Sequence, residues 1–163
     1  MELTIFNSDI GKTRMSITTA YISHGGGPLP LLENSIGTGG GGDANHQEMI
    51  EVLKSITLDI QRPDAIVVIS AHWEENDTQV TAGNKPSLIY DYYGFPESAY
   101  TLQYPALGIP DLSASIVAGL QAQGIEATAN PSRGFDHGMF VPLTIMYPEA
   151  DIPCIQVSLT ADL

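Results

Sequence analysis

A chain of 163 residues that is 43% hydrophobic and only 15% charged can bury one sizeable core, and reads as a single domain over 1–163 rather than a disordered or fibrous chain. Six Lys and Arg stand against 19 Asp and Glu, a formal net charge of −13 without a basic stripe, which argues against nucleic acid and anionic lipid as partners. No run reaches the roughly 18 apolar residues of a spanning helix, no leader is recognisable, and the one cysteine, Cys154, can close no internal disulfide, so a cytoplasmic protein is expected.

Residues 1–15 are mixed and indicate no element. SITTAYISH (16–24) is rich in β-branched residues and predicts a strand, broken by the glycines and prolines that follow. LLENSIGTGGGGDAN (31–45) predicts a loop. Asn45 as a capping residue, Glu48, and apolar Met49, Ile50, Val52, Leu53 and Ile56 at helical spacing predict a helix over about 46–58. DAIVVISAHW (64–73), apolar on consecutive positions, predicts a strand covered on both faces, and TQVTAG (78–83) alternates like an edge strand. The aromatic stretch 90–110 reads as an ordered loop. Pro110 and Asp111 start a helix that Gly124 stops. EATAN (126–130) is a short strand, and a third helix begins after Gly138 with Pro142 in its first turn. IPCIQVSL (152–159) is a last buried strand. This order predicts an α/β fold, a mostly parallel sheet flanked by helices.

In such sheets ligands sit beyond the carboxyl ends of the strands. His24 and His72 each follow a small residue at the end of a predicted strand, so both can reach one crevice. One histidine there is more often a hydrogen-bonded loop residue; two at equivalent ends weigh as much for metal binding, which needs a third ligand besides. The GGG after His24 resembles an oxyanion-hole loop, but the chain has no G-x-S-x-G nucleophile turn to go with it. GKT (11–13) lacks the leading glycine of a phosphate loop, and Gly39–Gly42 has no lysine partner. His137, beside Asp136 in RGFDHGMF, reads as a general acid or base or as a structural residue at a helix start. His46 reads as a solvated residue at the start of its helix.

HGGGPLPLL, VVISAHW, IYDYYGFPESAYTLQYPALGIPDL and RGFDHGMFVPLTIMYPEADIPCIQVSL occur in this order over about 18–160. Together they resemble the class III extradiol ring-cleavage dioxygenases, in the branch similar to DOPA 4,5-dioxygenase, within the superfamily of the protocatechuate 4,5-dioxygenase catalytic subunit. The resemblance implies a non-haem metal centre, Fe(II) for activity with Zn(II) as the alternative, and substrates that are a catechol and dioxygen. It places His24 and His72 on metal-ligand positions and His137 on a pocket histidine suited to moving a proton. It also sets Tyr92, Tyr93 and Phe95 near the pocket, as an aromatic wall against a planar ring. Arg133 is the one candidate clamp for a substrate carboxylate, with pairing to an acid as its other reading.

Family members continue past the point matching Leu163 and draw a third ligand from that region, so the expectation is an N-terminal portion with a sheet incomplete at its C-terminal end. A strand edge exposed at 152–159 would favour self-association. The alternative to a dioxygenase is a catalytically silent remnant that binds metal or an aromatic ligand, or pairs with another subunit. A metal-dependent hydrolase would need carboxylate ligands that the sequence does not place.

Overall fold

The computed structural model describes residues 2–7, 16–32 and 44–161. The elements are β1 (Glu2–Asn7), β2 (Ser16–Tyr21), α1 (Ala44–Asp59), β3 (Ala65–Glu75), β4 (Thr78–Thr81), β5 (Leu88–Ile89), α2 (Pro110–Ala122), β6 (Ala127–Asn130), β7 (Phe135–Asp136), α3 (His137–Met146) and β8 (Cys154–Thr160). Short 3-10 turns at Leu29–Leu31 and Glu97–Thr101 complete them. Six strands form one sheet in the order β2-β1-β3-β8-β4-β6, and β5 and β7 form a second pair.

The α/β class is as the sequence predicts, with helices flanking the sheet. From residue 65 onward the pairing is mostly parallel: β3 with β8, β4 with β6 and β5 with β7, against the antiparallel pair Val80 and Val157. Antiparallel ladders dominate only at the N-terminal end, where β1 pairs with β2 and with β3. β1 lies in the stretch whose sequence indicates no element. Its partners on both sides hold it as a strand, a tertiary effect that local composition does not carry.

Alternation along β3 sorts the core into two layers. Ile66 and Val68 face α1 and α3, in a cluster with Leu53, Phe140 and Leu143. Val67 packs on the opposite face with Val80, Ile155 and Val157, under Leu112, Ile116 and Leu120 of α2. α3 is apolar all round because it is buried all round, Thr144 alone among its residues being only partly covered. α2 stops as its sequence predicts: Gly124, at φ 80°, lets its own N–H reach Gln121 and that of Ile125 reach Leu120. Burial pushes the Cys154 thiol up to about 12, in keeping with an inert core residue.

Several expectations are corrected. β4 is not an edge strand, because β6 covers its outer side. β8 lies between β3 and β4, so no sheet edge opens at 152–159; the edges are β2 and β6. α3 starts at His137, which puts Pro142 in the second turn, where it withholds one hydrogen bond from the Gly138 carbonyl. α1 starts at Ala44, so Asn45 is inside the helix. The glycine run 39–42 and GKT at 11–13 lie outside the described residues. Among those residues no helix is long and apolar enough to cross a membrane.

Candidate metal centre

β2 and β3 both run antiparallel to β1, so they run in the same direction and their carboxyl ends lie at one end of the sheet. His24 follows β2 and leads into a tight turn in which Gly25 and Gly27 take φ of 75° and 62°. The glycines serve close packing. A Cβ on Gly25 would sit 3.0 Å from the His46 ring, and one on Gly27 would sit 3.2 Å from Phe95. Gly26 N–H donates to His46 Nε2 at 3.3 Å, so His46 is a prop beneath this loop rather than a solvated residue.

His72 is not beyond the end of β3, as its sequence suggests, but inside it. The ladder to β8 pairs Ile69 with Val157 and then Glu74 with Leu159, so five steps along β3 match two along β8. Such a bulge turns a side chain away from its regular face. Here it brings His72 Nε2 to 2.8 Å from His24 Nε2. His137 opens α3 and joins them. Its ring centroid is 4.8 Å from that of His24 and 4.1 Å from that of His72. One nitrogen from each of the three lies within 4.8 Å of the others.

Two of the three histidines are held from behind, by different means. His137 Nδ1–H donates to Asp91 Oδ1 at 2.7 Å, and the same oxygen accepts the His137 backbone N–H at 3.1 Å. His72 is anchored through its backbone N–H, which donates to Ser70 Oγ at 3.2 Å. Ser70 donates in turn to Asp136 Oδ1 at 2.8 Å. Asp136 is fully buried; its other oxygen takes the Gln156 amide and, at 3.3 Å, Arg133 Nη2. Arg133 also lies 4.8 Å over the Trp73 ring, so it pairs with an acid and is not a free clamp. The acid bonded to His137 is therefore Asp91, not its neighbour Asp136.

Burial, followed by the neighbouring His137 and His72, lowers His24 to about 4. Burial and then His137 lower His72 as well. Both are neutral at pH 7, the form in which imidazole binds metal. Burial pushes the Asp91 carboxyl up, but the hydrogen bonds from His137 outweigh it and hold the group below its ordinary value. Burial raises Asp136 despite its donors.

Three imidazole nitrogens on one side of a small space suit a divalent transition metal, with further positions left for ligands. The carboxylate behind His137 and the orphaned, buried Nδ1 of His24 belong to that picture. The residues present fit such an ion. A cavity of about 320 Å³ opens beside them, lined by Tyr21, Ile22, Ser23, His24, Ala71, His72 and Gly138. A larger one of about 520 Å³, between Lys85 and Leu107, has no histidine or acid in its lining.

Tyr92 stands 5.5 Å from the His137 ring and 5.4 Å from Phe95, its hydroxyl on the Ala99 carbonyl. Tyr93 is 92% exposed. Sequence reasoning missed Asp91, Ser70 and Gln156. Their signal was a polar residue within an apolar run, which requires a buried partner.

The family model described as the catalytic LigB subunit of aromatic ring-opening dioxygenase matches residues 18–162. The chain is 42% identical over 159 residues to dioxygenase tasH of Hapsidospora irregularis, covering 92% of itself and 46% of that protein. It is 36% identical over 152 residues to the 4,5-DOPA dioxygenase extradiol of Escherichia coli strain K12, covering 93% of itself and 51% of the relative. The crystal structure of the uncharacterized protein JW3007 from Escherichia coli K12 superposes with a TM-score of 0.53 at 37% identity, over 68% of this chain and 40% of that one. The chain thus spans about half the length of the curated relatives it matches.

Proposed function

The chain belongs to the family of the catalytic LigB subunit of aromatic ring-opening dioxygenase, and from that membership we propose that it serves extradiol opening of a catechol-type ring by dioxygen. In this reading His24 and His72 hold the metal and His137 moves the proton. The observation that carries it is the convergence of three imidazoles, from the turn after β2, from β3 and from α3, within 4.8 Å, one of them backed by a carboxylate. Fe(II), or Zn(II) on the same donors, would supply charge that acidifies the catechol hydroxyls, and iron would also supply the redox partner for dioxygen.

The protein's own part follows from its hydrogen bonds. Asp91 accepts from Nδ1, so the neutral His137 ring presents Nε2 as a proton acceptor. A catechol hydroxyl bound between His24, His72 and His137 would lose its proton there. Asp91 would stabilise the imidazolium that forms. Tyr92 and Phe95, braced by Ala99 and Gly27, form one wall for a planar ring. Tyr93, at the exposed turn beside Gly94, would meet a substrate only at the mouth. A cytoplasmic location, and self-association along β2, the outer strand of the sheet among the described residues, where Ile17 and Tyr21 are exposed, belong to the same reading; sedimentation velocity tests the latter.

A second reading is favoured by the His137 nitrogen standing within ligand distance of the other two. There His137 completes the metal set, and the chain binds metal or an aromatic ligand without turning it over. Anaerobic loading with Fe(II), followed by catechol titration and oxygen uptake, separates the two. His137→Gln should keep the iron and lose turnover if His137 is the base. Loss of iron from this variant would favour the ligand reading, and no iron in the parent protein would overturn both.

A further inference from the structure

We propose that Asp136 is a positioning residue that fixes His72 and His137 relative to one another; this deepens the reading above and rests on it for the metal. Its place in the fold is the first observation. Asp136 is the N-cap residue of α3, in extended backbone at φ −81° and ψ 171°, yet its side chain makes no capping hydrogen bond. An aspartate at that position ordinarily accepts an N–H of its own helix. Here the carboxylate is diverted across the sheet, to Ser70 of β3 and Gln156 of β8.

The second observation is where that diversion leads. The bulge in β3 takes residues 70–73 out of the ladder to β8, so the His72 N–H needs another acceptor. Ser70 Oγ provides it, and the Ser70 hydroxyl can do so in a fixed direction because its own proton is committed to Asp136 Oδ1. Asp136 cannot swing away. Its second oxygen is held by Gln156 and Arg133, and its backbone N–H donates to Gln156 Oε1 at 3.2 Å. His137 is the next residue in the chain. One buried carboxylate thereby ties the strand that carries one imidazole to the helix start that carries another.

The third observation is the packing between them. A Cβ on Gly138 would lie 2.7 Å from Ser70 Oγ, 2.8 Å from His72 Cδ2 and 3.1 Å from Asp136 Oδ1. The β3 and α3 groups of this link are packed without room for an added methyl.

The test reads the imidazoles directly in metal-free protein, by long-range proton–nitrogen NMR of the parent chain and of Ser70→Ala, Asp136→Ala and Asp136→Asn. Ser70→Ala and Asp136→Ala are expected to shift the His72 and His137 ring signals while leaving His46, outside the network, in place. Asp136→Asn keeps an oxygen toward Ser70 but sets an NH2 against the donors of Gln156 and Arg133, so its shifts should fall between those of the parent and Asp136→Ala. Unshifted His72 and His137 signals in folded Ser70→Ala and Asp136→Ala would overturn the proposal. If Asp136→Ala does not fold, Ser70→Ala alone decides it. In a second arm Co(II) is titrated and its visible absorption recorded. The two alanine variants are expected to bind about 10- to 100-fold more weakly, with an altered band shape, and Asp136→Asn to lie between them and the parent. Unchanged affinity and band shape would count against the proposal. A parent chain that binds no Co(II) would count against the metal reading, while the NMR still decides the role of Asp136.

Discussion

Asp91 links the proposed chemistry to a single carboxylate oxygen. Its Oδ1 accepts from both the ring and the backbone of His137, so it sets the tautomer as well as the ring's orientation. Asp91→Asn keeps an acceptor of the same shape but removes the charge that would stabilise a protonated ring. Turnover of the iron-loaded protein, followed as oxygen uptake with a catechol, should fall by about 10- to 100-fold while iron content holds. Equal loss of iron and activity would instead place the residue in metal retention. The sequence made the three histidines legible because imidazole is rare in this chain and each sits in a block of family character. It did not reveal which acid serves which histidine. Asp136 adjoins His137, and adjacency was the only cue available. The fold brings Asp91 to the ring from 46 residues away, a pairing that no local pattern encodes.

At the scale of elements, the parts that local chemistry dictates were legible: α2 with its proline start and glycine stop, the buried runs of β3 and β8, and the α/β order. The parts decided by partners were not. β1 is a strand because β2 and β3 flank it, and β4 is interior because the short β6 pairs beyond it. The bulge in β3 is invisible in an unbroken apolar run, yet it is what aims His72. Two glycines in helices separate these causes. Gly138 is enclosed, with Ser70 Oγ 2.7 Å from where a Cβ would stand, whereas Gly119 in α2 is exposed with nothing within 4 Å. Gly138→Ala should cost about 1–3 kcal/mol through overpacking and weaken Co(II) binding. Gly119→Ala should stabilise by about 0.5–1 kcal/mol on helix propensity alone. Chemical denaturation of both variants checks the contrast, and a neutral Gly138→Ala would mean that the β3–α3 contact is loose.

For the whole molecule, the imidazole cluster costs stability that a bound metal would offset, and the pH dependence of folding should expose that cost. His24 titrates at about 4 in the folded chain against 6.5 for a free imidazole, and His72 is lowered as well. Between these values the unfolded chain binds more protons than the folded one, so stability falls as pH drops from 6.5 toward 4. Asp136, raised by burial, opposes the trend, because near its own titration the folded state is the one that holds the proton. The net charge of −13 adds a self-repulsion that fades as carboxylates protonate, so the comparison must be made at constant ionic strength and against a matched variant. The double substitution His24→Asn, His72→Asn removes both lowered histidines. In calorimetry with a chelator present, its Tm should fall less than the parent's between pH 6.5 and 4. With Zn(II) at about 100 times its dissociation constant and pH 7, the parent should gain about 2.7 kcal/mol of stability, and the double variant should gain none. Parallel pH curves would show that the histidines are not strained by their burial, and an equal Zn(II) gain in both proteins would place the ion elsewhere on this acidic chain.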